Sequence, residues 1–387
     1  MSTYTWIKRL FAEKRTASEL DRGPFFSSFE GNLPPNRDTQ SAIGELSAAV
    51  KNNPDAVEIY LALGNLFRSQ GEIDRAIQIR NSLIVRQNLD PRFKARAWFE
   101  MGRDYKRAGF LDRAQSAFEQ ARALLGDDPA LLEEMARLAA DSGDFEKTAA
   151  FYGKLNNRRA EAHYLVRLAR QSQTRGDKGG SKKWLNKAMR VFPGSPEAWL
   201  ETLLQVYQSG DFEKFSRELK TALDQVDQNL SFVLLEGILE FPIRVKEEGT
   251  SSQPEPGENV SESFPVEFCN YLLPVLEQQP QDLLIYYYGA WLSLRCGDSI
   301  TAQNWFEKTL LLNSDFWPAR LELLANSIEE QNLTPVFKVQ LEFFLDRARR
   351  VKRFVCLKCG LKREQIFFVC PRCQAWHSIS FRLSLGD

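Results

Sequence analysis

Four cysteines near the end of this chain have the residue type and spacing that could bind a metal ion. Two residues separate the members of each pair and ten separate the pairs. The four are Cys356, Cys359, Cys370 and Cys373. Thiolates spaced in this way on tight turns can point at one ion, so the pattern predicts a tetrahedral metal site within residues 353–387. Disulfides or buried free thiols are the alternative, but Gly360 follows the first pair as a metal-binding turn requires.

The four sulfur ligands restrict the identity of the metal ion to a few candidates but do not select one. Four sulfur ligands suit zinc and a single iron, so one Zn or Fe ion is expected, and zinc is favoured by the short loop and a purely structural role. His377 could compete as a ligand, but four thiolates already complete the shell. So small a domain needs the ion to fold, and Phe354, Phe367 and Trp376 are its expected minimal core.

Composition restricts the class of protein. The 387 residues carry 51 basic and 51 acidic side chains, so the net charge is zero and a dedicated nucleic-acid binder is not expected. No apolar run reaches the length of a membrane-spanning helix. With two histidines, no glycine-rich phosphate loop and no Ser/His/Asp set, the chain is predicted not to be an enzyme and to have no small-molecule substrate.

Glycines recur through the middle of the chain with a regular period. The first five are spaced 38, 34, 33 and 34 residues apart, and a sixth follows later: Gly71, Gly109, Gly143, Gly176, Gly210 and Gly297. Small residues lie seven before and five after most of them, where two helices of a hairpin would approach closely. This is the tetratricopeptide pattern. It predicts an all-α solenoid of helical hairpins over 39–245 and 264–352, ending in a small rubredoxin-like or zinc-ribbon metal domain.

The remaining segments are predicted to be connectors. Residues 1–38 combine a short amphipathic stretch, 6–15, with a loop, and the stretch could lie on an anionic membrane surface or pack as a docking helix. Residues 246–263 are rich in Pro, Ser, Gly and acid, which predicts an exposed linker. Cys269 and Cys296 lack metal spacing, so packing in the core is expected for them.

The first helix of each hairpin would line the concave face of the solenoid, and its outward positions are mostly basic. Those candidate partner-binding residues, called here the predicted groove set, are Asn65, Arg68, Arg96, Arg103, Lys106, Arg107, Arg137 and Arg170. Such groups would suit an acidic or C-terminal peptide. The alternative is a solvated helix face whose charges pair with Glu100, Asp104 or Glu133.

A second group of basic residues leads into the metal site. It comprises Arg347, Arg349, Arg350, Lys352, Arg353, Lys358, Lys362 and Arg363. Positive charge at close range could contact nucleic acid or acidic lipid. The alternative is a set of cations that complement the negative end of a helix dipole.

Three stretches together resemble the lipopolysaccharide assembly protein B family. They are 64–77, 102–114 and the closing Cys-x-x-Cys-Gly and Cys-Pro-x-Cys-x-x-Trp motifs. The resemblance implies that Cys356, Cys359, Cys370 and Cys373 are metal ligands and that the metal domain packs against the repeats. It further implies an adaptor on the cytoplasmic face of the inner membrane that regulates lipid A synthesis by bringing the committing deacetylase to the membrane protease FtsH.

Members of that family begin with a transmembrane helix, which is not found here, so attachment to the membrane would be peripheral, through residues 6–15 or through partners. The expected localisation is therefore cytoplasmic, with peripheral association at the inner membrane. Two alternatives stay open. A rubredoxin-like electron carrier with a helical docking arm would need iron in the metal site, and a general peptide-binding scaffold would need no role in lipopolysaccharide synthesis.

Overall fold

The computed structural model describes residues 37–53, 56–242, 245, 263–280, 282–331 and 333–383. The predicted amphipathic stretch 6–15 and nearly all of the predicted linker lie outside these residues. The chain divides into two compact units, residues 1–164 and 165–387. No helix of the described residues is long and apolar enough to cross a membrane.

The first unit consists of antiparallel helical hairpins. Its helices are α1 (Arg37–Asn52), α2 (Val57–Ser69), α3 (Ile73–Ile84), α4 (Pro91–Arg107), α5 (Leu111–Leu125), α6 (Pro129–Asp141), α7 (Phe145–Lys154) and the first part of α8 (Arg158–Thr174). Helices α2 and α3, α4 and α5, and α6 and α7 pack as pairs. Asp90 and Asp128 begin α4 and α6, because their carboxylates accept backbone N–H groups of the first turn ahead of a proline at the first helical position.

The predicted role of the repeated glycines is confirmed. All six adopt the left-handed conformation, with φ between 75° and 83°, which ends the first helix of each hairpin. The small positions seven residues earlier allow close packing of the helices. A Cβ atom on Gly102 would lie 2.5 Å from the ring of Phe118, so only glycine fits there without movement.

The second unit contains the later helices and a small sheet. The helices are the remainder of α8, α9 (Lys178–Val191), α10 (Pro196–Ser209), α11 (Phe212–Gln225), a 3₁₀ turn (Gln228–Leu230), α12 (Ser231–Leu239), α13 (Val266–Glu277), α14 (Leu283–Arg295), α15 (Ser299–Leu312), α16 (Trp317–Glu330) and α17 (Pro335–Arg349). The strands are β1 (Phe354–Cys356), β2 (Lys362–Arg363) and β3 (Ile379–Phe381). They form an antiparallel sheet in the order β2-β1-β3, with Phe354 opposite both Arg363 and Phe381.

One hydrophobic core runs through the second unit and includes the sheet. Trp199 of α10, Phe232 of α12, Tyr287 of α14 and Phe381 of β3 all belong to it. Two of the residues expected in the minimal core of the metal domain, Phe354 and Phe367, are buried in this larger core, and Phe354 is completely buried against the helices. Thirty or so residues cannot bury enough apolar area alone, and the repeats supply the rest.

The expected core packing of Cys269 and Cys296 is confirmed, since Cys269 is buried in the core of the second unit and Cys296 packs against that core. Cys269 lies on α13 and Cys296 directly follows α14, and the two are joined by a disulfide bond. Helices α13 and α14 pack against each other, which brings the two Cα atoms to 5.8 Å although 27 residues separate them in sequence. Spacing along the chain alone did not indicate this pairing.

Candidate metal centre and partner surface

Two similar turns present the four cysteines. In the first, the Gly360 N–H donates to the Cys356 carbonyl oxygen at 2.8 Å, and Gly360 has a φ of 69°. In the second, the Gln374 N–H donates to the Cys370 carbonyl oxygen at 2.9 Å, and Gln374 has a φ of 56°. The left-handed residue in each turn reverses the chain, so both cysteines of a pair face the same point.

The sulfur positions fit a single metal ion. All four Sγ atoms lie within 4.8 Å of one another, and the Cys356–Cys373 and Cys359–Cys370 separations are both 3.6 Å. Sulfurs around a tetrahedral zinc would be about 3.8 Å apart, because each Zn–S bond is about 2.3 Å long. The predicted ligands are thus brought together, and they could bind a metal ion. Cys356 and Cys370 are buried, whereas Cys373 is exposed.

The surroundings of Cys356 favour the thiolate. Burial alone would raise its pKa, but the Ser378 hydroxyl and the backbone N–H groups of Cys359 and Lys358 lower it to about 6. Ser378 Oγ lies 3.2 Å from the sulfur. Because metals bind the deprotonated sulfur, a hydroxyl in this position supports metal binding.

The His377 side chain contacts a carboxylate and is not placed as a metal ligand. Its Nε2 lies 3.0 Å from both carboxylate oxygens of Glu197 on α10, and both side chains are almost fully buried. Its ring also stacks on Phe192, with the ring centroids 5.7 Å apart. His377 therefore joins the segment after the second cysteine pair to the repeats.

Aromatic and ionic contacts hold the sheet against the helices. The Phe354 ring stacks on Phe232 of α12 with 5.9 Å between centroids, and Phe381 lies 5.8 Å from Tyr287 of α14. Arg353, just before β1, donates to Glu236 of α12 at 3.0 Å. This ion pair is largely buried, with the Glu236 side chain 11% exposed. Neither the metal site nor its supporting helices can move without breaking these contacts.

The structure places the predicted groove set in ion pairs rather than in a free cationic surface. Carboxylates of the same or of a neighbouring first helix pair with five of its eight members: Arg68 with Glu100 and Asp104, Arg103 with Glu100 and Glu134, Lys106 with Glu134 and Asp141, Arg137 with Glu133 and Glu134, and Arg170 with Glu201. Asn65 accepts from Arg68 at 3.0 Å. Over the described residues, Arg96 and Arg107 have no acidic partner within ion-pair distance. A role in binding partners stays a prediction for all eight.

Arg80 of α3 is the buried centre of this network, and sequence reasoning missed it. Its side chain is fully buried, donates to the Leu61 carbonyl and Asn65 Oδ1 at 2.9 and 2.6 Å, and lies 3.4 Å from Asp104 Oδ2. The corresponding position in the other hairpins is apolar: Phe118, Tyr152, Leu185, Leu219 and Phe306. Aligning the repeats would have revealed this exception.

The pKa values of the two carboxylates near Arg80, those of Glu100 and Asp104, are shifted in opposite directions. Burial alone would raise the pKa of Glu100, but Arg68, Arg80 and Arg103 together lower it to about 2. For Asp104 burial outweighs the attraction of Arg80 and Arg68, so its pKa is raised. The difference follows from the third cation near Glu100 and from repulsion between the two acids.

These features define an architecture: helical hairpins of the tetratricopeptide-repeat type, followed by a four-cysteine cluster that could bind a metal ion. The family model described as "Tetratricopeptide repeat" matches residues 36–91. The chain is also similar to lipopolysaccharide assembly protein B of Escherichia coli K12, at 24% identity over 345 residues, covering 85% of this chain and 82% of that protein. The protein of the same name in Haemophilus influenzae is 22% identical and covers 83% of this chain and 78% of its own length. The resemblance expected from the sequence is thus confirmed.

Among solved structures, the C-terminal part of a TPR repeat-containing protein from Cytophaga hutchinsonii is 11% identical. That structure covers 73% of this chain and 93% of its own chain, with a TM-score of 0.34. A tetratricopeptide repeat protein from Parabacteroides merdae is 13% identical and covers 79% of this chain and 99% of its own, with a TM-score of 0.32.

Proposed function

We propose that this protein is a non-enzymatic adaptor in lipopolysaccharide assembly, working at the cytoplasmic face of the inner membrane as a peripheral protein. Its repeats would bind protein partners, and its partners would be FtsH and the deacetylase that commits sugar to lipid A. By holding the two together it would promote proteolysis of the deacetylase. The single observation that carries the proposal is the similarity to lipopolysaccharide assembly protein B over 85% of this chain.

The metal in this proposal has a structural role, and zinc is the favoured ion. Cys356, Cys359, Cys370 and Cys373 would hold it. When bound, the ion supplies the cross-link that a sheet of so few residues lacks. The sheet in turn packs on α12 and α14 through Phe354 and Phe381, so metal binding would stabilise the surface of the repeats as well.

The groove set would serve as a partner surface of balanced charge. Arg68, Arg103 and Lys106 are already paired with carboxylates of this chain. An acidic partner would therefore have to displace those carboxylates in order to bind these three cations. Arg96 and Arg107 are the members that could bind an acidic peptide without breaking a pair. This favours Arg107, which is exposed, as a direct contact.

Degradation of the deacetylase in the native host tests the proposal. In a strain without this protein, the deacetylase is expected to persist after synthesis is stopped, and restoring the wild-type chain should shorten its half-life. The double variant Cys356→Ser/Cys359→Ser should fail to restore turnover. A matched control is Cys269→Ser/Cys296→Ser, which removes two cysteines outside the metal site. Equal half-lives with and without the protein would refute the adaptor role.

The exposure of one ligand supports electron transfer as a second candidate. Cys373 is exposed and Cys359 is half-buried, so one edge of the site is open to a redox partner. The metal content of protein purified from the native host separates the candidates. An iron–thiolate absorption band that bleaches on reduction would support the electron carrier, whereas one zinc per colourless chain would exclude it.

A further inference from the structure

The outer face of helix α17 is apolar where the end of a repeat array is normally polar. Of its described side chains only Leu345 is buried. Five large apolar side chains are between 55% and 74% exposed: Val336, Phe337, Val339, Phe343 and Phe344. A terminal helix needs a polar outer face to stay soluble. We therefore expect another surface to cover the apolar face of α17.

The spacing of these residues defines a stripe. Val336, Val339 and Phe343 follow the i, i+3, i+7 pattern, so they share one face of α17, and Phe337 and Phe344 lie beside it. The rings of Phe343 and Phe344 are 5.7 Å apart and meet edge to face. Phenylalanine in such a stripe is typical of a helix that inserts between lipid headgroups.

Charge is concentrated at the C-terminal end of the same helix. Residues 335–353 carry six basic and two acidic side chains, in a chain whose net charge is zero. Some of these cations hold the fold, since Arg349 pairs with Glu322 and Arg353 with Glu236. In the part of the chain that the structure describes, Arg347 and Lys352 have no acidic side chain within ion-pair distance and remain available.

The area of the stripe argues against a second copy of the chain as the occupant. Three phenylalanines and two valines at this exposure present roughly 500 Å², because a full aromatic side chain offers about 150–250 Å². A stable interface between two proteins needs about 800 Å² from each. A lipid surface needs no matching partner area, and a helix of 15 residues is about 22 Å long, enough to lie flat in the headgroup layer.

We infer that the outer face of α17 binds an anionic lipid bilayer, with Val336, Val339, Phe343 and Phe344 inserted and Arg347 and Lys352 contacting acidic headgroups. The surface is distinct from residues 6–15, on which the sequence placed membrane association. It deepens the peripheral location proposed above, and it does not depend on the adaptor role.

Flotation of the full chain with vesicles tests this inference. Vesicles of phosphatidylcholine with about 30% phosphatidylglycerol should bind the protein, pure phosphatidylcholine should bind it weakly, and added salt should release it. Phe343→Ser/Phe344→Ser should reduce the bound fraction about tenfold, since it removes the inserted rings. Arg347→Glu/Lys352→Glu should do the same through charge reversal. The matched control Ile300→Ser/Leu311→Ser changes side chains on α15 that are 78% and 86% exposed, and it should bind as the wild type does.

Several results would overturn the inference. They are no binding to the anionic vesicles, undiminished binding of the Phe343→Ser/Phe344→Ser protein, or loss of binding in Trp6→Ser/Phe11→Ser while the α17 variants still bind. A concentration-dependent dimer that the Phe343→Ser/Phe344→Ser change abolishes would assign the face to a second copy instead. Failure of vesicle binding with normal turnover of the deacetylase would reject this surface and leave the adaptor role intact.

Discussion

Phe354, two residues before the first of the four clustered cysteines, stacks on Phe232 of α12 with 14° between the ring planes. Phe354 has no exposed surface and Phe232 is 1% exposed. This contact makes the four-cysteine site part of the repeat core rather than a domain attached to it. Metal binding and helix packing should therefore stabilise each other.

Replacing Phe232 by alanine should loosen the metal site from a distance. The change leaves a cavity against Phe354 and should cost about 3–5 kcal/mol of stability in the second unit. Loss of metal to a coloured chelator should become faster, although no ligand is altered. The exposed Phe343→Ala, as a control, should release metal at the wild-type rate. Unchanged release from Phe232→Ala would mean that the two parts are not coupled.

The disulfide between Cys269 and Cys296 should be measurable by counting thiols. Protein denatured with a metal chelator but without reductant should expose four thiols, and reduced protein should expose six. Closing a loop over a separation of 27 residues should stabilise the fold by up to about 3.5 kcal/mol. A reductant should lower the melting temperature of the wild type to that of Cys269→Ser/Cys296→Ser, and a count of six without reductant would contradict the bond.

Replacing Arg80, a buried cation of the first unit, should lower the free energy of unfolding. Arg80→Met leaves Asp104 and Asn65 buried with Arg68 as their remaining cationic partner, and we expect a loss of about 1–3 kcal/mol in urea unfolding. Arg217→Met breaks a pair whose side chains are both 71% exposed and should change stability by less than about 0.5 kcal/mol. A stability gain in Arg80→Met would show that packing outweighs the ion pairs here.

The stability that Glu100 contributes to the folded protein should depend on pH. Its pKa is lowered to about 2 in the folded protein, against about 4.3 in an unfolded chain. Because the folded value is the lower one, the stabilisation is complete above pH ~4.3 and is lost as the pH falls from there towards 2. The wild type should exceed Glu100→Gln by roughly 2–3 kcal/mol at pH 6–7, and the gap in urea midpoints should narrow below pH ~4.3. A gap that stays constant down to pH ~3 would contradict the shifted pKa.

The two metal-binding turns allow a matched pair of substitutions. Gly360→Gln places a side chain at a φ of 69° and should cost about 1–2 kcal/mol. Gln374→Gly removes a side chain from the same conformation, at a φ of 56°, and should keep or improve metal affinity. Competition with a chelator measures both, and equal affinities for the two variants would show that backbone strain does not affect the site.

The spacing of residues close together in the sequence determined much of the structure of this protein. The left-handed glycines from Gly71 to Gly297 and the turn at Gly360 depend on neighbours within a few residues, so both the hairpins and the cysteine cluster could be predicted from sequence. The same holds for the small residues such as Gly102, whose partner Phe118 lies within the same hairpin.

Contacts between distant parts of the chain were decided only by the tertiary structure. Cys269 meets Cys296 because two helices pack, and His377 meets Glu197 across 180 residues because the sheet packs on α12 and α14. The charge of Arg68 or Arg103 is evident from the sequence, but whether it meets solvent or a carboxylate depends on how successive hairpins stack. Side-chain type and periodicity define what each helix can bury, whereas packing in three dimensions selects the partner that satisfies each buried charge and sulfur.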